Sequence, residues 1–151
     1  MQYVRLVKPG WFNHIENEFG DLAFAKSQDG SGMSVFELES ITNSITDHVK
    51  EYYPHFVINQ QITFCILQEA ELPPNAIAEK TDDPDPFHKC IDASDGEGNR
   101  ISKKAFKRHF REKRAQIGDF SVCESDGSTR SLAADDIAEW ARLKALADED
   151  S

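Results

Sequence analysis

The three cysteines of this chain, Cys65, Cys90 and Cys123, form no CxxC pair, are odd in number and are widely spaced. They indicate neither a disulfide framework nor a zinc knuckle, and all three read as reduced thiols. No apolar run approaches the roughly 18 residues of a membrane span. The opening MQYVRLVKPGWF lacks the charged, apolar and small-residue regions of a secretory signal, so the protein is expected in the cytoplasm. Also missing are a P-loop, a GxGxxG after a strand, an HExxH and a GxSxG. Their absence turns attention away from the common nucleotide-dependent and hydrolytic chemistries. No cofactor and no metal are expected.

What is present suits a folded domain. The chain has 151 residues, of which 39% are hydrophobic and 29% charged, a globular rather than a disordered balance. The net charge of −10 hides an asymmetry. Residues 1–99 carry 17 acidic and 6 basic side chains, residues 100–117 carry 1 and 8, and residues 118–151 carry 9 and 3. The overall sign opposes non-specific binding to nucleic acid or anionic lipid, while the middle segment favours it.

Periodicity predicts an α+β fold, with a small mixed or antiparallel sheet of strands near 2–7, 61–67 and 87–92. In the first strand, Tyr3, Arg5 and Val7 face one way and Val4 and Leu6 the other. The pattern Ser34-x-x-Glu37 reads as a capping box, followed by Leu38, Ile41, Ile45, Val49 and Tyr52 at helical spacing. An amphipathic helix is therefore predicted over 34–52, packed on the sheet. Residues 27–32 read as a flexible loop, and 76–80 as either a helical turn or a strand. A core unit over 1–94, a loop over 95–100 and a C-terminal extension over 101–151 are expected. That extension contains a helix from a Ser102 cap to a Gly118 cap, a hairpin turning at Asp126-Gly127, and a last helix carrying Ile137 and Trp140. Residues 148–151 read as a frayed acidic tail.

The pieces Arg5, Pro9-Gly10-Trp11, Ala23-Phe24, Gly32-Met33-Ser34-Val35 and Asp85-Pro86-Phe87-His88 resemble those of a loose group of short uncharacterised bacterial proteins. The resemblance covers roughly residues 1–94. It departs at Gly20-Asp21, where the group often has Ser-Ser, and it lacks an earlier Asp-Pro at the matching place. It implies one compact N-terminal unit and no particular chemistry.

Three constellations carry candidate chemistry. In TDDPDPFHKC (Thr81–Cys90), Pro84 and Pro86 hold Asp83 and Asp85 extended, so Asp85 and His88 form a candidate acid–base pair, with Arg5 as a possible third catalytic residue. His88, Cys90 and Asp92 share a strand face and form a conceivable ligand set. The plainer reading is a stiff turn entering a strand. Separately, Arg5, Ser34 and Glu69 or Glu71 resemble the Arg–Ser–Glu order of ADP-ribosyltransferases. That resemblance implies Arg and Ser holding NAD, with Glu orienting the acceptor or stabilising an oxocarbenium.

The third constellation is a basic helix. Lys103, Lys104, Lys107, Arg108, Arg111, Lys113 and Arg114 surround Phe106 and Phe110 at i and i+4. Such a helix can track phosphates, dock on an acidic partner with the two phenylalanines as anchors, or lie against the acidic remainder of its own chain. The expected function is a protein-interaction module, an accessory or adaptor subunit of a bacterial or phage system, contacting its partner through the charged C-terminal region. A small enzyme using Asp85 and His88, and nucleic-acid binding through 103–114, are the alternatives.

Overall fold

Strand β1 (Gln2–Val7) forms because its alternating side chains serve two apolar layers at once. Tyr3 and Val7 enter one core, and Val4 and Leu6 enter the other. The computed structural model describes residues 1–28 and 31–149. Among these, the further strands are β2 (Phe12–Asn13), β3 (Glu18–Phe19), β4 (Met33–Glu37), β5 (Ile62–Gln68), β6 (Ala76–Lys80), β7 (His88–Ala93), β8 (Ser121–Cys123) and β9 (Thr129–Ser131). The helices are α1 (Ile45–Tyr52), α2 (Lys103–Arg114) and α3 (Ala134–Glu149).

The main sheet runs β6-β7-β4-β1-β5-β8-β9 with every neighbouring pair antiparallel, and β2–β3 is a separate hairpin. This is the expected α+β class. One core gathers the β1, β4, β5 and β7 side chains Tyr3, Val35, Leu67 and Ile91 with Phe106 and Phe110 of α2 and Trp140 of α3. The other gathers Val4, Phe36 and Phe64 with Val49 of α1. Residues after 100 thus supply two strands to the shared sheet and two helices to its larger core.

The helix predicted over 34–52 is corrected. Residues Met33–Glu37 are a central strand, and α1 begins only at Ile45. Met33 and Val35 are buried on one side of the sheet and Phe36 on the other, so a segment apolar on both faces is claimed by its two strand neighbours. Tertiary pairing overrides the local capping pattern. The cap that operates is Ser44, whose side chain accepts from the Asp47 amide. Leu38 and Ile41 still pack on the core, but from the connection that precedes α1.

Residues 76–80 are a strand, and the Asp126-Gly127 hairpin forms as expected between β8 and β9. Helix α2 does begin at a Ser102 cap. It ends at Arg114 rather than at Gly118, which sits in a 3₁₀ turn (Ile117–Asp119) capped by Gln116 and Asp119. Part of the expected 27–32 loop, at 29 and 30, lies outside the described residues. Of the expected tail, Asp148 and Glu149 complete α3, while 150 and 151 lie outside the described residues.

Candidate functional site

Residues 81–87 are bends and a turn leading into β7, and the hydrogen bonds of the turn close inward. Asp83 Oδ1 accepts from the Asp85 amide at 3.0 Å, and Asp85 Oδ1 accepts from the Phe87 amide at 2.9 Å. Asp85 Oδ2 accepts from the Tyr53 hydroxyl at 2.5 Å and lies 2.8 Å from His48 Nε2. The Asp85 side chain is fully buried. Burial, reinforced by the hydrogen bond to Asp85, holds the Tyr53 phenol well above its ordinary pKa, so it remains a donor.

His88 points elsewhere. Its Nδ1 lies 2.6 Å from Thr81 Oγ1, and its amide donates to the Asp85 carbonyl at 3.2 Å. Burial holds its pKa below the usual histidine value, against the opposing pull of Asp83 and Asp85. The turn is a pinned structural entry into β7 whose carboxylate is already committed.

Arg5 is buried at the place where the β1–β4 ladder opens. That pairing joins Tyr3 to Glu37 and Val4 to Phe36 and stops. The next hydrogen-bonded pair would set Leu6 against Ser34, but the Ser34 carbonyl accepts from Arg5 Nη1 at 3.0 Å. Arg5 Nε donates to the Ala23 carbonyl at 2.7 Å, Nη2 to the Leu22 carbonyl at 3.1 Å, and the guanidinium lies over the Trp11 ring. Burial among neutral acceptors lowers its pKa to about 10, which leaves it charged at neutral pH. Four of the sequence pieces singled out above (Arg5, Trp11, Ala23 and Ser34) therefore meet in one structural knot.

A cavity of about 30 Å³ opens at this break, bordered by Arg5, Tyr53, Phe56 and His88. It is an order of magnitude smaller than the roughly 300–1,000 Å³ of small-molecule pockets. Arg5 and His88 border this small space and Asp85 does not, so the three do not converge on a space that admits a substrate. The Arg–Ser–Glu trio is also dispersed. Gln2 pairs with Gln68, so Glu69 and Glu71 lie beyond one end of β1, while Ser34 meets Arg5 from the other side. Glu69 contacts the N-terminal amine, and Glu71 accepts from the Gln68 amide and from Arg114.

The His88, Cys90 and Asp92 set does not assemble. Asp92 forms a buried pair with Lys26 at 2.6 Å and also accepts from Arg100. Among the described residues no group of three or more His, Cys, Asp and Glu side chains is placed to hold a metal ion. None of the three cysteines is in a disulfide, and burial pushes the Cys65 thiol up to about 12.

On α2, Phe106 and Phe110 are wholly buried, with Phe110 stacked on Phe24 at 5.3 Å. Their expected role as anchors for a partner is corrected: they anchor the helix to its own core. Sequence spacing carried that signal, since an i, i+4 aromatic pair is the apolar stripe of an amphipathic helix. The basic side chains divide. Arg111 pairs with Glu16 and Glu18, Lys107 with Asp21, and Arg114 with Glu71 and Asp119, while Lys103 donates to the Gln28 carbonyl. Lys104, Arg108 and Lys113 are exposed and make no ion pair among the described residues. An open groove of about 700 Å³ borders Lys104, Arg108 and Asp21.

The residues that sequence reasoning missed are His48 and Tyr53, which hold Asp85 from 37 and 32 positions away. No local spacing signals them. Compared with protein-family models, with curated proteins and with solved structures, the chain matches none. Among the described residues no helix is long and apolar enough to cross a membrane.

Proposed function

We propose that this protein is an interaction module, an accessory or adaptor subunit that docks an acidic protein partner through the surface of α2. One observation carries the reading. On a chain of net charge −10, Lys104 and Arg108, one helical turn apart, stand exposed and make no ion pair among the described residues, on a helix locked in place by Phe106 and Phe110. A rigid cationic pair on an acidic molecule favours a specific oppositely charged surface and disfavours indiscriminate polyanion binding. Three buried thiols without a disulfide fit a cytoplasmic setting.

The test is affinity purification from source cells with the Lys104→Glu/Arg108→Glu variant beside wild type. A protein band held in fixed proportion by wild type, lost by the double variant and retained by Asp85→Asn, supports the module. Recovery that is abolished by nuclease and falls steeply with salt points instead to nucleic acid through 103–114. Equal retention by wild type and double variant refutes docking through α2.

A further inference from the structure

A second surface lies between α3 and the β2–β3 hairpin. Two depressions of about 350 and 390 Å³ share Phe12, His14 and Lys144, so they form one continuous groove. Trp140 and Leu143 of α3 line one end; Trp11, Ile15 and Leu22 line the other. Most of the molecule hides its large apolar side chains, yet Ile15 is 98% exposed and Leu22 59% exposed.

The presentation of Ile15 is built rather than loose. Asn13 Oδ1 accepts from the amides of both Ile15 and Glu16 at 3.0 Å, and Asn17 adopts a left-handed φ of 56°. Arg111 then clamps Glu16 within the turn and Glu18 just after it, at 2.6 and 2.7 Å. A β-branched residue held in water by a braced turn loses little freedom when a partner covers it.

Charge selects the occupant. The acids beside the groove are partly offset by the chain's own bases: Asp21 lies near Lys107 and Arg111, and Glu139 pairs with Arg142. Lys144, at the junction of the two depressions, makes no ion pair among the described residues. Past Asp21 the surface, which Glu18 and Glu112 also line, continues to Lys104 and Arg108, which make no ion pair among the described residues.

Resting on the interaction-module reading, we propose that this groove receives an extended acidic segment of a partner protein. One apolar side chain of that segment packs on Ile15 and Leu22, a second enters between Trp140 and Leu143, and a carboxylate meets Lys144. Lys104 and Arg108 of α2 then take the acidic flank of the same segment.

The probe is a displayed library of random peptides of about 16 residues, selected on the intact protein in about 0.15 M salt. The expected result is enrichment of sequences that combine Leu, Ile or Phe with Asp or Glu. Synthetic copies should lose about tenfold or more in affinity on Ile15→Asp or Leu22→Asp and severalfold on Lys144→Glu. Ile15 is almost wholly in water, so its variant keeps the wild-type circular dichroism and melting curve. Enrichment of basic peptides, no enrichment, or affinity indifferent to Ile15→Asp overturns the groove. So does a wild-type dimer that Ile15→Asp converts to a monomer, because the occupant would then be a second copy. Affinity lost on Lys104→Glu/Arg108→Glu but not on Ile15→Asp rejects the groove and keeps the module reading. Indifference to both sets of variants rejects both.

Discussion

The Tyr53 hydroxyl lies 2.5 Å from Asp85 Oδ2, joining the end of α1 to a turn 32 residues further along the chain. A buried carboxylate is costly unless its lone pairs are occupied, and here Tyr53, His48 and the Phe87 amide occupy them. Replacing Tyr53 by Phe removes one donor and little volume. Urea denaturation should show a loss of about 1.5–3 kcal/mol. An unchanged midpoint would mean that the hydroxyl contributes nothing to holding Asp85.

His88 gives a pH dependence of definite sign. Its folded pKa is depressed by burial, so the unfolded chain binds a proton more readily. The stabilising difference is present above the unfolded value of about 6.5 and is lost as pH falls through it towards the folded value. Between about pH 7 and pH 5, His88→Asn should lose stability less steeply than wild type. Parallel slopes would contradict the assignment.

Arg5 bonds to three carbonyls and to no carboxylate. In Arg5→Met those carbonyls lose their donor while the removed charge relieves a desolvation cost. The net loss expected in denaturant unfolding is about 2–4 kcal/mol. A stabilised variant would show that desolvation outweighs the three bonds.

The two sides of α2 should respond differently. Phe110→Ala empties a filled site in the larger core and should cost about 3–5 kcal/mol. Lys104→Ala should leave the unfolding midpoint where it was. Paired thermal melts of the two variants check this, and a stable Phe110→Ala protein would contradict the core assignment.

The parts of the fold legible in the sequence are those whose reasons are local. Alternation around Arg5 reveals β1, and Ser102 with the Phe106–Phe110 stripe reveals α2 and, read strictly, its buried face. Ser34 and Glu37 misled because capping chemistry is local while the burial of Phe36 is decided by β1 and β7. The working cap, Ser44 with Asp47, was equally available in the sequence. At the candidate site, the prolines marked 82–87 as a turn into β7. Which groups meet Asp85 depends on how α1 lies on the sheet, and the groove beside Ile15 needs α3 in place before it exists at all.

The strand order has a consequence for synthesis. β1 leaves the ribosome first, yet its neighbours are β4 and β5, the latter ending at Gln68. At about 5–20 residues per second, this apolar strand waits on the order of 3–12 s for that partner. Its Tyr3 and Val7 side wait longer for α2 and α3, which follow β5 along the chain. A chain released near residue 100 would carry five of the seven strands of the main sheet with one greasy side bare, a natural client for a chaperone.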